Sequence, residues 1–274
     1  MTIPAAWWAG LSPIVARLAD EWSLALGERF PTGGTAWVAP ARGPDGADLV
    51  LKVVWPHPEA VAEAAGLRCW DGDGAVRLVA ATRVEGNDAL LLERCRPGTP
   101  LAAMPEPDQD VTIAGLLRRL WRAPPPGATF PTLAAMCDLW AGEFEAKVAA
   151  GAVALDPGLA REGAARWRAL PREDSERVLL ATDLHAGNVL AAEREPWLVI
   201  DPKPHVGDPA YDPLQHLLNC PARLHADPLA LTRRVAGLCG VDADRLAAWL
   251  FARSVIETPS WPELAGLARR LAPG

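Results

Sequence analysis

The chain has 274 residues and a mass of 29.2 kDa, half of it apolar by residue type and 22% charged. That composition excludes a disordered chain and supplies core enough for one large domain or two lobes. Twelve acidic against nine basic side chains over residues 1–98, and 22 against 18 over residues 99–274, leave no basic footprint for a nucleic-acid backbone.

The opening segment, MTIPAAWWAGLSPIVARLADEW, has no basic leader followed by an apolar core and a cleavage site. No uninterrupted apolar run reaches the roughly 18 residues of a membrane span, so the expectation is a soluble cytoplasmic protein with no membrane or nucleic-acid partner. Residues 11–28 repeat apolar side chains at helical spacing, Leu11, Ile14, Val15, Leu18, Trp22 and Leu26, and stop at Gly27, predicting an amphipathic helix. The period then falls to two. Thr35–Ala39 and Asp48–Trp55 read as strands joined through Arg42-Gly43-Pro44-Asp45-Gly46, an antiparallel hairpin with Lys52 on its second arm. Glu59–Trp70 reads as a helix with proline and acid at its start and Asp71-Gly72-Asp73-Gly74 as its stop. Two more apolar runs, Val76–Ala80 and Ala89–Leu92, complete a small antiparallel sheet of about five strands with one helix inserted after the third.

From Pro97-Gly98-Thr99-Pro100 onward the pattern turns helical, near residues 111–123, 131–150, 157–170, 208–219, 227–238, 242–257 and 261–271. Only residues 177–201 interrupt it, with short β-type runs at 177–180, 189–191 and 197–200. The fold class is α+β, with a small antiparallel sheet lobe over residues 1–96 and a larger, mainly helical lobe over residues 97–274.

Two compositional facts bear on chemistry. The five cysteines, Cys69, Cys95, Cys137, Cys220 and Cys239, are dispersed and form no C-x-x-C pair, which argues for buried thiols over disulfides or a zinc knuckle. There are 24 arginines but only three lysines, Lys52, Lys147 and Lys203. Each surviving lysine is therefore a candidate for a place that needs a compact ammonium on a slim stem.

The densest polar cluster is Ala181-Thr182-Asp183-Leu184-His185-Ala186-Gly187-Asn188-Val189-Leu190, followed by Trp197-Leu198-Val199-Ile200-Asp201-Pro202. Asp183 and Asp201 both end apolar runs, where an unpaired carboxylate costs several kcal/mol, so a metal or a strong donor is expected nearby. Two carboxylates and an amide oxygen form a hard-oxygen set suited to Mg²⁺. His185, His205 and His216 lack H-x-H or H-E-x-x-H spacing, which argues against a zinc hydrolase.

The order D-x-x-x-x-N from Asp183 to Asn188, the second Asp at Asp201, a lysine on a strand and a glutamate on the next helix resemble the protein-kinase-like phosphotransferases. Within them, D-L-H-x-G-N-V-L and I-D-P-x-x-x-x-G-D-x-x-x-D are similar to the aminoglycoside/hydroxyurea antibiotic resistance kinases, which include streptomycin 6-kinases. Trp70–Leu78 and Leu90–Arg94 extend the resemblance over nearly the whole chain.

The resemblance implies a two-lobed protein-kinase-like fold with ATP and Mg²⁺ held between the lobes. It implies that Asp183 accepts the acceptor hydroxyl's proton or orients that hydroxyl, that Asn188 and Asp201 hold Mg²⁺, and that Lys52 pairs with the phosphates, positioned by Glu63. Glu59 is the alternative partner, one turn earlier on the same helix face. An acid at Glu59, in the expected first turn, is explained by the helix dipole, whereas Glu63 falls mid-helix and matches the family's position. Gly33 and Gly34 bring backbone N–H groups to the phosphates or form an ordinary tight turn. Glu93–Arg96 forms the hinge, with backbone groups at Glu93 and Cys95 facing adenine.

Lys203 either meets the transferred phosphate or pairs with Asp208, and Asp208 and Asp212 either cap a helix and brace the catalytic loop or contact the substrate. Relatives commonly carry H-G-D where this chain has Ala181-Thr182-Asp183, so the usual loop histidine is missing. The expected activity is transfer of the ATP γ-phosphate to a small-molecule hydroxyl, with a streptomycin-like aminoglycoside as acceptor. Its cationic groups would be met by acids such as Asp212, Asp242, Asp244, Glu257 and Glu263. The alternatives are hydroxyurea, an amino sugar or another metabolite as acceptor, or a nucleotide-binding protein with little transfer activity.

Overall fold

The computed structural model of the chain describes residues 3–31, 35–57, 61–173 and 176–273. It divides into two compact units, Met1–Pro100 with Leu190–Lys203, and Leu101–Val189 with Pro204–Gly274. The segment 190–203, expected in the second domain, therefore clusters with the first. Backbone bonds explain this: Val76 and Val199 donate to Val199 and Gly74, while Gly98 and Ala191 donate to Ala191 and Thr99.

In the first unit, helix α1 (Ala5–Glu21) buries Leu11, Ile14, Val15 and Leu18 against a five-stranded antiparallel sheet. Its strands are β1 (Ala25–Leu26), β2 (Ala36–Arg42), β3 (Asp48–Val54), β4 (Leu78–Val84) and β5 (Asn87–Glu93), in the order β1-β2-β3-β5-β4. The first helix ends at Glu21, short of the expected limit at Glu28, because Ser23 takes a left-handed φ of 51° and the chain turns into β1. Leu26, read as the helix's last apolar position, instead pairs with Ala41, and the Gly27 N–H donates to the Pro40 carbonyl.

Strand alternation sets the site. Leu49, Leu51 and Val53 join the α1 core, so Lys52 points to the opposite face of the sheet. Lys52 sits in register with Val38 on β2 and Leu90 on β5, in the middle of the ladder where the backbone is most constrained. Helix α2 (Glu63–Trp70) follows β3 and stops at Asp71, itself left-handed at φ 47°. The expected helix start at Glu59 lies outside the described residues. The described helix begins at Glu63, which places this glutamate in the first turn and not mid-helix.

Among the described residues the second unit is helical apart from one strand pair. Its helices are α3 (Glu106–Leu120), α4 (Leu133–Ala149), α5 (Pro157–Ala169), α6 (Leu214–Leu218), α7 (Pro221–Ala226), α8 (Pro228–Cys239), α9 (Ala243–Ile256) and α10 (Leu264–Leu271). Thr132, Asp156, Asp227 and Asp242 cap α4, α5, α8 and α9 by accepting backbone N–H bonds. Pro213 splits the helix expected at 208–219 into a one-turn 3-10 helix at Pro209–Tyr211 and the short α6.

The β hairpin made by β7 (Val189–Ala191) and β8 (Trp197–Val199) belongs with the return segment of the first unit, apart from Val189. Strand β6 (Val178–Leu180) pairs with β9 (His205–Gly207), a strand not expected from the sequence because His205-Val206-Gly207 holds no apolar run. In the same unit Trp140, Trp167, Tyr211 and Trp249 form an aromatic cluster with centroids 5.1 to 5.9 Å apart. Where α5 crosses α9, a Cβ on Gly163 would stand 2.5 Å from the Val255 side chain, so only glycine allows that approach. Among the described residues no helix is long and apolar enough to cross a membrane.

Candidate active site

The first unit gathers four charges. Lys52 Nζ donates to both carboxylate oxygens of Glu63, at 2.6 and 2.7 Å, and to Asp201 Oδ1 at 2.5 Å. Lys203 Nζ reaches the same Asp201 Oδ1 at 2.5 Å and the Asp201 carbonyl at 3.3 Å. Of the two glutamates weighed as the partner of Lys52, Glu63 occupies that place. Its side chain is 1% exposed and that of Lys52 8%, so neither ion would be stable here alone.

Burial works against the Lys52 ammonium, but the Glu63 and Asp201 carboxylates outweigh it and raise its pKa. Burial likewise opposes ionisation of Asp201, yet Lys52 and Lys203 hold its pKa at about 2. Burial pushes Glu63 upward against the pull of Lys52, and with the ammonium bonded to both oxygens the pair is ionic. Asp201 has a left-handed φ of 52°, uncommon for a residue with a Cβ, at the point where the chain leaves the β7–β8 hairpin.

At the end of β5 the Glu93 carboxylate is taken by Arg194, at 2.6 and 3.1 Å, and Arg194 also donates to the Gly72 and Ala75 carbonyls. Arg194 thus ties the hairpin to the neighbouring segments, a role with no motif to announce it. Cys95 is buried, and that burial pushes its thiol up to about 11, so any contribution to ligand binding comes from its backbone. Gly33 and Gly34 lie outside the described residues.

The second unit carries the polar loop that follows β6. Asp212, fully buried, accepts from the Thr182 N–H at 2.6 Å, the Ala181 N–H at 3.0 Å and the Trp121 indole N–H at 2.9 Å. These three donors satisfy the carboxylate and fix Thr182 at a left-handed φ of 54°. Desolvation nevertheless dominates the three neutral bonds and raises the Asp212 pKa to about 6. A loop that lacks the usual histidine is therefore held by a buried carboxylate.

Further along, His185 Nδ1 accepts the Gly187 N–H at 3.1 Å and caps the one-turn 3-10 helix Ala186–Asn188. The Asn188 carboxamide donates to the Asp183 carbonyl at 3.0 Å, which turns its own oxygen the other way and joins the two ends of D-x-x-x-x-N. Asp208 caps the turn preceding Asp212 through the Ala210 N–H, and is anchored by Arg245 at 2.5 Å and the Trp249 indole at 2.7 Å. Asp208 and Asp212 are thus structural supports.

Among the described residues, one other group has metal-ligating atoms close together: Asp110, His216 and Cys220 lie within 4.8 Å of one another. The Asp110 carboxylate, however, takes bonds from His216 at 2.8 Å, Arg223 at 2.7 and 3.0 Å and Arg234 at 2.8 Å. These partners outweigh burial and hold its pKa well below the usual carboxylate range. The group is a polar hub joining α3, α6, α7 and α8, with its oxygens already in use.

Solved structures of the same architecture are small-molecule kinases and phosphotransferases. Macrolide 2'-phosphotransferase MphH from Brachybacterium faecium superposes with a TM-score of 0.57 at 17% identity, covering 96% of each chain. Ethanolamine kinase from Plasmodium vivax gives 0.61 at 14% identity, over 94% of this chain and 80% of that one. At such identities the likeness defines the fold alone, and the fold is protein-kinase-like.

The sequence goes further. The aminoglycoside/hydroxyurea antibiotic resistance kinase family matches residues 21–264, and the chain belongs to that family. It is 37% identical over 270 residues to streptomycin 6-kinase of Streptomyces griseus, covering 96% of this chain and 86% of the relative. It is 38% identical over 259 residues to hydroxyurea phosphotransferase of Kitasatospora aureofaciens, covering 92% and 73%. The chain is accordingly an ATP-dependent phosphotransferase with a hydroxyl as acceptor group.

Proposed function

We propose that this enzyme phosphorylates a hydroxyl of a cationic aminoglycoside of the streptomycin type, in the cytoplasm, where its ATP is found. The observation that carries the mechanistic reading is the Lys52–Glu63–Asp201 cluster, in which a buried ammonium is oriented by one carboxylate and shared with a second. In this reading Lys52 binds nucleotide phosphates, and Glu63 holds its stem and charge in place. Backbone groups at Glu93 and Cys95 meet adenine.

Asp201 and Asn188 would hold Mg²⁺. The donor chemistry fits: Asp201 is ionised and its side chain is 34% exposed, and Asn188 offers an amide oxygen whose orientation its own N–H bond fixes. Bound there, the ion neutralises developing phosphate charge. Asp183 accepts the acceptor hydroxyl's proton or orients it, as that oxygen bonds to the γ-phosphorus and the bond to the β–γ bridging oxygen breaks to release ADP. The Asp212 brace supplies the rigidity this positioning needs.

The relative that phosphorylates hydroxyurea supports a second acceptor, a small neutral hydroxamate-type hydroxyl. Incubation with Mg²⁺-ATP and a panel of aminoglycosides, amino sugars and hydroxyurea, followed by mass spectrometry for phosphorylated products, separates the two. A phosphorylated aminoglycoside that disappears in Asp183→Ala is the expected result. Exclusive phosphorylation of hydroxyurea would replace the acceptor, and undiminished product from Asp183→Ala would remove Asp183 from its role.

A further inference from the structure

Asp201 Oδ1 accepts two ammonium groups at once, Lys52 and Lys203, each at 2.5 Å. Two such donors fill the oxygen's lone pairs. A divalent cation on either oxygen of this carboxylate would then stand within about 6 Å of two positive charges, a repulsion that a site only partly open to solvent screens poorly. Release of one ammonium would relieve that repulsion.

The two lysines are not equally able to do so. Lys52 projects from the middle of β3, and both Glu63 oxygens hold its nitrogen. Lys203 lies outside any strand or helix, on the segment between Asp201 and β9, with Pro202 and Pro204 on either side. These prolines restrict the backbone, so what remains mobile is the four-carbon stem. Its side chain is 12% exposed against 8% for Lys52.

The residue type agrees with this. In a chain with 24 arginines and three lysines, a guanidinium at position 203 would present a broad fork to the carboxylate. A compact ammonium can share one oxygen and be displaced from it.

We propose that Lys203 is a mobile counterion: it neutralises Asp201 before metal binding, yields the carboxylate to Mg²⁺, and then carries its charge to the anionic phosphates of the nucleotide. The cluster of Lys52, Lys203, Glu63 and Asp201 is formally neutral, so displacement makes a positive charge available at the moment the polyanionic nucleotide arrives. This inference rests on the reading of Asp201 as a metal ligand.

The test uses Mn²⁺ as the metal probe, with its affinity for the whole protein measured from the electron paramagnetic resonance signal of free Mn²⁺ in the absence of nucleotide. Lys203→Met removes the competing charge and should tighten Mn²⁺ binding at least about tenfold, while Lys203→Arg should not. Lys203→Gln carries the same expectation as Lys203→Met should the latter fold poorly in a thermal melt. With ATP and an acceptor present, Lys203→Met should lower kcat more than it raises the KM for ATP.

If Lys203 is only a static brace for Asp201, its removal leaves Mn²⁺ binding unchanged or weakens it, and either result overturns the proposal. Asp201→Asn supplies the separate control: it should abolish the Mn²⁺ affinity. Wild-type affinity in Asp201→Asn would instead remove Asp201 as the metal ligand, and with it the premise.

Discussion

Asp201 and Asp212 are both carboxylates withdrawn from bulk water beside a polar loop, yet they are held by opposite means. Asp201 is gripped by two full charges and its pKa is drawn to about 2. Asp212 is fully buried, accepts three neutral N–H bonds and is pushed to about 6. The number of bonds is similar, so the difference is one of charge: neutral dipoles satisfy a carboxylate's geometry without offsetting its desolvation. On the proposed reading, in which Asp201 exchanges partners with a metal, it is best kept ionised by partners that can leave. A group meant to hold backbone in place needs directional donors.

Breaking the charged side should have the largest effect on chemistry. Asp201→Asn is expected to lower turnover at least about 100-fold, because it removes the anion that Lys52 and Lys203 share while preserving shape. The unfolding midpoint should fall by less than the full ion-pair contribution, since the side chain is 34% exposed and its loss leaves Lys52 paired with Glu63. A turnover near that of the wild type, measured by coupled ADP release, would contradict the role given to Asp201.

Breaking the neutral side should invert that pattern. Asp212→Ala strands the Ala181, Thr182 and Trp121 N–H donors in the interior. At roughly 1 kcal/mol or more for each buried donor left unsatisfied, the expected cost is about 3 kcal/mol, read as a lower urea midpoint. Turnover of the fraction that remains folded should fall about tenfold, because Thr182 loses the bond that holds its left-handed backbone beside Asp183. A variant as stable as the wild type would mean that water replaces the carboxylate at no cost.

These two regions also differ in how far the sequence disclosed them. Lys52, Glu63, Asp183, Asn188 and Asp201 stand out because each charge or amide interrupts an apolar run or keeps a recognised spacing, and the family resemblance these residues carry is what implies the protein-kinase-like fold. The choice of Glu63 over Glu59 does not follow from spacing alone, since the two lie one turn apart. The mid-helix position that favours Glu63 in the sequence does not hold either, for Glu63 opens the described helix.

What escapes the sequence is set by tertiary contact. Arg194, which locks the hairpin through Glu93 and two carbonyls, is one of 24 arginines with nothing local to distinguish it. Trp121 and Asp212 are 91 residues apart, and no period links them. Strand β9, His205-Val206-Gly207, has no apolar run like those that announce the equally short β6, β7 and β8, and Ser23 ends α1 through a backbone conformation that the apolar spacing of Trp22 and Leu26 does not reveal.

The smallest expected effect is the dependence on pH, and it sharpens the contrast most directly. Between about pH 4 and 6 an unfolded Asp212 gives up its proton while the folded one keeps it, so its contribution to stability falls as pH rises. The total is at most about 3 kcal/mol from a shift of this size. Asp201 has the opposite sign: its depressed pKa gives stability that is complete above about pH 4 and is lost as pH falls through about 2. Of the two, only the Asp212 contribution therefore changes between pH 4 and 7. The wild type minus Asp212→Asn difference in urea midpoint should shrink as pH rises through that window. Turnover should move the other way, dropping a few-fold below about pH 6 as the Asp212 carboxyl becomes protonated and no longer accepts from both loop amides. A difference that stays flat from pH 4 to 7 would place the Asp212 pKa near its ordinary value and show that the three N–H bonds offset its desolvation.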